Sequence, residues 1–144
     1  MNRPAPPTGV TPPQAFELGD GTQIDLSPLA RTLCEHYYTL YPDDLERYGP
    51  AGQAWCDHDS RYLLAWALQD ARGGTVDCVA QVKWLGRVLA GRGFPVQRLA
   101  PHVELTAEVL RTSGLGDLGN RAAERMSAGS QSLSVLLPSG AAPA

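Results

Sequence analysis

PAGQAWCDHDSRYLLAWALQDA, residues Pro50 to Ala71, is the stretch whose reading decides the fold. It opens on a proline, which suits a first helical position, and runs without another proline to Gly73-Gly74. At about 100° per residue, Trp55, Cys56, Asp59, Tyr62, Leu63, Trp66 and Asp70 fall within about 60° of one line down the helix. The spacing therefore predicts a long amphipathic helix with acids set into its aromatic face. A buried carboxylate without a partner is costly, so Asp59 must meet a cation, a hydrogen-bond donor or water. Two readings follow. Asp59 is either a structural tie to His36 or an arginine on another helix, or the polar anchor of an aromatic-lined pocket. The pocket reading makes Trp55, Asp59, Tyr62, Trp66 and His36 the candidate ligand-binding residues.

Working outward, Gly49 ends a helical turn or two over Pro42–Tyr48, and the helix before it stops ahead of Pro42. That first helix begins at Ser27-Pro28, a hydroxyl cap followed by a proline at the first helical position. Its core stripe reads Leu29, Leu33, His36 and Leu40. Further upstream, Phe16 to Leu26 alternates apolar and polar residues around Asp20-Gly21, a hairpin signal. Downstream, Thr75 is the cap of a helix running to about Ala90, striped by Cys78, Val79, Val82, Leu85 and Leu89. Val76, Trp84 and Val88 lie on its other side. A helix apolar on two faces is sandwiched in a bundle or shared with a second chain, so Trp84 and Val88 are the candidate interface residues. Arg92-Gly93-Phe94-Pro95 is a turn into a helix from about Val96 to Arg111, and a weaker helix spans about Asp117 to Ser127. Short links favour an antiparallel bundle. The expected fold is all-α: four to five helices, a short N-terminal β-hairpin and disordered termini.

The boundaries come from composition. Residues Met1 to Gln14 hold five of the 12 prolines, and Ala128 to Ala144 are Ser, Gly, Ala and Pro around Leu133–Leu137. Such segments bury too little apolar surface to offset their ordering entropy. The expected division is a Pro-rich arm over 1–15, a bundle over 16–127 and a disordered tail over 128–144. The net charge is −3, with 11 arginines and one lysine, none adjacent in sequence. Without clustered cations to replace counterions, nucleic-acid binding is disfavoured. No run approaches ~18 apolar residues, so no membrane span is expected. Three cysteines and no signal peptide point to a cytoplasmic protein with reduced thiols.

Cys34-Glu35-His36 and Cys56-Asp57-His58 tempt a zinc assignment. On a helix, residues two apart project about 200° from each other, so one triplet cannot serve one ion. The cysteines read as small hydrophobes, and no metal or other cofactor is expected. His102 follows Leu99-Ala100-Pro101, but it lies about 100° off the core stripe and has no distal partner for a haem. Gly114, Gly116 and Gly119 match a dinucleotide fingerprint in spacing, yet no strand precedes them. No nucleophile elbow, phosphate loop or zincin motif occurs.

The tract Tyr41-Pro42-Asp43-Asp44-Leu45-Glu46-Arg47-Tyr48-Gly49, with Trp55 to Asp59, Val82 to Leu85 and Arg92 to Pro95, resembles a bacterial helical domain. Such domains form the N-terminal regions of regulatory proteins that often carry a cobalamin-binding or other signalling module. The resemblance covers roughly residues 16 to 112. It implies a sensory or regulatory domain and transfers no catalytic residue. About 30 residues follow it, too few for a cobalamin domain. Glu35-His36 resembles the pair with which some light-sensing bundles cap cobalamin, without the upstream tryptophan. The functional expectation is a non-enzymatic regulatory domain working as a homodimer or with a protein partner. The alternative is a small-molecule sensor, tetrapyrrole-type ligands included.

Overall fold

The computed structural model describes residues 11–136, and for Leu136 the backbone only. β1 (Ala15–Glu17) and β2 (Gln23–Asp25) form an antiparallel hairpin with Phe16 opposite Ile24. Asp20 closes the turn by accepting from the Thr22 backbone N–H at 3.0 Å and from its hydroxyl at 2.5 Å. Two short strands are marginal alone. Here Phe16 is buried in the core, and Arg72 lies over its ring while donating to the Glu17 carbonyl.

Five helices follow: α1 (Leu26–Leu40), α2 (Asp43–Ala71), α3 (Cys78–Gly91), α4 (Val96–Arg111) and α5 (Gly116–Ser132). A 3-10 turn, Leu133–Leu136, ends the described chain. The all-α bundle with its N-terminal hairpin is as expected from the sequence. α2 is two helical pieces in one. Gly49 has φ 62° and ψ −155°, a conformation that only glycine adopts readily, and Pro50 restarts the helix. This is the break that the Gly49-Pro50 pair predicts.

The caps differ from the expected ones. Asp25, not Ser27, caps α1, accepting from the Ser27 backbone N–H at 3.0 Å. Asp77, not Thr75, caps α3, accepting from Ala80 at 3.2 Å. In both cases a carboxylate two residues away wins the orphan N–H groups. The buried stripe of α1 is Leu26, Ala30, Leu33 and Tyr37. His36 and Leu40 are exposed, so His36 is no core residue. Tyr37 takes the inward place because its ring is apolar and its hydroxyl finds a partner.

The largest departure is the C-terminal end. α5 does not stop near Ser127, and the bundle does not end at residue 127. The helix runs to Ser132, Ser130 is buried, and Leu133 is 1% exposed. α5 packs against α2, α3 and α4 through Gly119, Ala122, Ala123, Met126 and Gly129. A Cβ at Gly119 would stand 2.5 Å from the Leu110 carbonyl, and one at Gly129 would stand 3.0 Å from Val82. Small side chains let the helix axes approach, so α5 is central although few large apolar residues mark it. α1 closes the opposite side against α2 and α4. Residues 1–10 of the expected arm and 137–144 of the expected tail lie outside the described residues. No helix among the described residues is long and apolar enough to cross a membrane.

Candidate ligand pocket between α1, α2 and α4

The kink at Gly49 shapes the site. It sets Asp44 and Tyr48 beside the first turns of the restarted helix, where Gly52, Trp55, Cys56 and Asp59 line the same pocket. Gly52 carries no side chain because a Cβ there would run into Tyr48. Tyr37 and Tyr38 of α1, Leu89 of α3, Phe94 of the α3–α4 turn, and Leu99 and His102 of α4 complete the wall. Tyr48 leans on Phe94 with ring centroids 6.0 Å apart, and Tyr37 on His102 at 5.0 Å.

The cavity has a volume of about 60 Å³. At roughly 30 Å³ per water it has room for about two waters or a group of a few heavy atoms. That is far short of the ~300 Å³ at which drug-sized pockets begin, and a tetrapyrrole does not fit.

Polar groups are held in place around it. Asp44 is 2% exposed. It accepts from the Tyr37 hydroxyl at 2.5 Å and from Arg98 at 2.6 Å, which offsets the cost of burying the charge. Arg98 also pairs with Asp43 at 3.0 Å and lies 4.4 Å over the Tyr41 ring. Burial and the Asp44 carboxylate push the Tyr37 phenol well above its ordinary range. His102 is buried and its Nε2 shares a hydrogen bond with Ser60 Oγ at 3.0 Å. Burial pushes its pKa down to about 4, so the ring is neutral near pH 7. Ser60 Oγ also meets Cys34 Sγ at 3.5 Å. A row of polar groups thus crosses the α1–α2–α4 junction.

Of the residues proposed from sequence, Trp55 and Asp59 line the pocket. His58 Nδ1 donates to Asp59 Oδ1 at 3.2 Å, and Arg92 sits 5.7 Å from the Trp55 ring centroid. Tyr62 and Trp66 do not reach the cavity. They continue a half-buried aromatic row from Trp55 through His58, with centroids 5.0, 5.0 and 5.8 Å apart. His36 is exposed and cannot be the partner of Asp59. Asp70, at the far end of the same helix, accepts from the Cys78 backbone at 2.8 Å and from Arg125 at 3.2 Å, tying α2 to α3 and α5. Trp84 is 52% exposed and Val88 half-buried on α3. No three His, Cys, Asp or Glu side chains among the described residues are grouped to hold a metal ion.

Sequence reasoning missed Tyr37, Asp44 and His102. His102 follows Leu99 by three and precedes Thr106 by four, so it borders the buried stripe of α4; that spacing was its signal. Asp44 gives no such signal, because its partner Arg98 is 54 residues away. The chain matches no protein-family model, no curated protein and no solved structure.

Proposed function

We propose that this domain is a non-enzymatic, regulatory binding module that takes a small ligand into the pocket beside Trp55 and Asp59. The observation that carries the reading is a cavity where aromatic walls and fixed polar groups converge, the usual form of a small-molecule site. Trp55, Phe94, Leu89 and Leu99 offer apolar contact. The Asp59 carboxylate borders the same cavity and gives it an acidic side that suits a ligand donor. A small amine or alcohol with an apolar body has this complementarity. Catalysis is less well supported. Ser60, the hydroxyl bonded to His102, is 0% exposed and does not line the cavity. A histidine with its pKa near 4 is also a weak general base at neutral pH.

Titrating one- to three-carbon amines and alcohols tests the reading by tryptophan fluorescence, in a Trp84→Phe background that removes the exposed indole. A saturable change that disappears in Trp55→Phe is expected. No response to any probe, with no thermal stabilisation, overturns it. A second reading, contact with a protein partner or a second copy, rests on Trp84. An indole half in water contributes more at an interface than in solvent.

A further inference from the structure

Aromatic side chains from three segments of the chain wall the pocket. Tyr37 and Tyr38 come from α1, Tyr48 and Trp55 from either side of the Gly49 break, and Phe94 from the α3–α4 turn. Their planes differ: Tyr37 and Tyr38 meet at 81°, Tyr48 and Phe94 at 34°. Rings that converge from several directions enclose a centre, which is the form of a cage and not of a stack. Two carboxylates, Asp44 and Asp59, share the wall, and no lysine or arginine among the described residues lines it. Arg98 pairs with both Asp43 and Asp44, so that trio keeps one net negative charge. His102 adds no positive charge near pH 7, because burial holds its ring neutral. The wall thus favours a cation, while its apolar character disfavours a strongly hydrated one.

We infer, on the footing that the pocket takes a ligand at all, that its occupant is a small methylated ammonium ion held by the aromatic rings. A cation within about 6 Å of a ring centroid is attracted by the ring quadrupole, more strongly where water is excluded. The chain makes this contact with its own cations beside the pocket, Arg98 4.4 Å over Tyr41 and Arg92 5.7 Å from the Trp55 centroid. Methyl groups suit the site twice. They spread the charge over an apolar surface, and they replace N–H donors that would each need an acceptor. Acceptors are already engaged at Asp44, where one oxygen accepts from the Tyr37 hydroxyl and the other from Arg98. A primary ammonium would give up hydrogen bonds to water without replacing them all, which weakens binding. Trimethylammonium brings a single N–H, which the acidic side of the pocket can meet. A neutral alcohol of the same shape gains nothing from the carboxylate charge or the ring quadrupoles.

Trimethylammonium, isopropylammonium and 2-propanol share one branched skeleton. The first carries its charge under methyl groups, the second on an exposed tip, and the third carries none. Each is titrated into the folded full chain near pH 7 at matched chloride concentration. Binding is read from the ligand's methyl proton resonance, which ring currents displace. So few atoms set a dissociation constant no tighter than about 0.05 mM, which fixes where the titration starts. Trimethylammonium is expected to bind at least about fivefold more tightly than 2-propanol, and more tightly than isopropylammonium. Phe94→Leu keeps an apolar wall and should weaken trimethylammonium roughly threefold while sparing 2-propanol. If 2-propanol binds as tightly as trimethylammonium, the cage is overturned and the pocket remains a binding site. Tightest binding by isopropylammonium also overturns it, since the carboxylates and not the rings would then select. Equal losses for both probes in Phe94→Leu do the same. No displacement with any of the three removes the pocket as a ligand site, and the cage with it. The wild-type comparison needs no substitution, so a Phe94→Leu chain that fails to fold leaves it decisive.

Discussion

The α4–α5 side of the bundle and the α1–α2 side are built on different terms. Where α5 meets its neighbours, the contacts are Gly119, Ala122, Ala123, Met126 and Gly129 against Leu110 and Val82, and the helices close to backbone distance. Where α1 meets α2 and α4, the junction carries Tyr37–Asp44–Arg98 and Cys34–Ser60–His102, and a cavity remains. Close packing makes a unique dry core. Buried polar chains cost stability unless every member is satisfied, and sites of function are where proteins tolerate that cost. The first half holds the fold together; the second is the half with chemistry to spare.

Four measurements break or sharpen this contrast. Leu110→Ala, on the packed side, should lower unfolding free energy by roughly 3–5 kcal/mol in a urea melt, without changing the response to amine probes. A much smaller loss would mean that the α4–α5 contact is loose. Acid should act on the other side. The folded pKa of His102 is depressed from 6.5 to about 4, so its contribution is complete above pH 6.5 and is lost as pH falls toward 4. The change is on the order of 3 kcal/mol, read from melts across that range. His102→Gln keeps a hydrogen-bonding group for Ser60 and should flatten this part of the profile; an unaltered profile would contradict the assignment. Tyr37→Phe removes one donor from buried Asp44 and should cost about 2 kcal/mol. Trp84→Asp should change stability by less than about 0.5 kcal/mol, because it touches neither half. Light scattering on the same variant tests the partner reading: a wild-type dimer that becomes a monomer supports it, and an unchanged mass removes Trp84 from any interface.

The sequence displayed the packed side poorly and the helix boundaries well. Pro42, Gly49-Pro50, Gly73-Gly74 and Pro95 punctuate the chain where the helices break, because backbone constraints act locally. The reach of α5 was hidden because glycine, alanine and serine carry little apolar signal, though they are what close helix packing requires. On α1 the buried stripe is one residue out of phase with the apolar spacing, with Tyr37 inward and His36 outward, since an amphipathic ring can belong to either face. Trp55 and Asp59 were legible as neighbours because they share one helix face, and both line the cavity. Asp44, Arg98 and His102 join them only through contacts between helices, which no local pattern encodes.

The break at Gly49 has an energetic corollary. A helix gains cooperativity by extending an unbroken ladder of backbone hydrogen bonds, and isolated segments of a turn or two do not hold alone in water. Asp43–Tyr48 therefore cannot lean on the long helix that follows it. Its order depends on side chains from elsewhere in the chain: the Tyr37 phenol on Asp44, the Arg98 guanidinium on Asp43 and Asp44, and the Phe94 ring against Tyr48. In amide exchange this segment should open as a unit of its own, at lower free energy than the interior of Pro50–Ala71. One wall of the pocket would then come and go on a clock separate from that of the bundle.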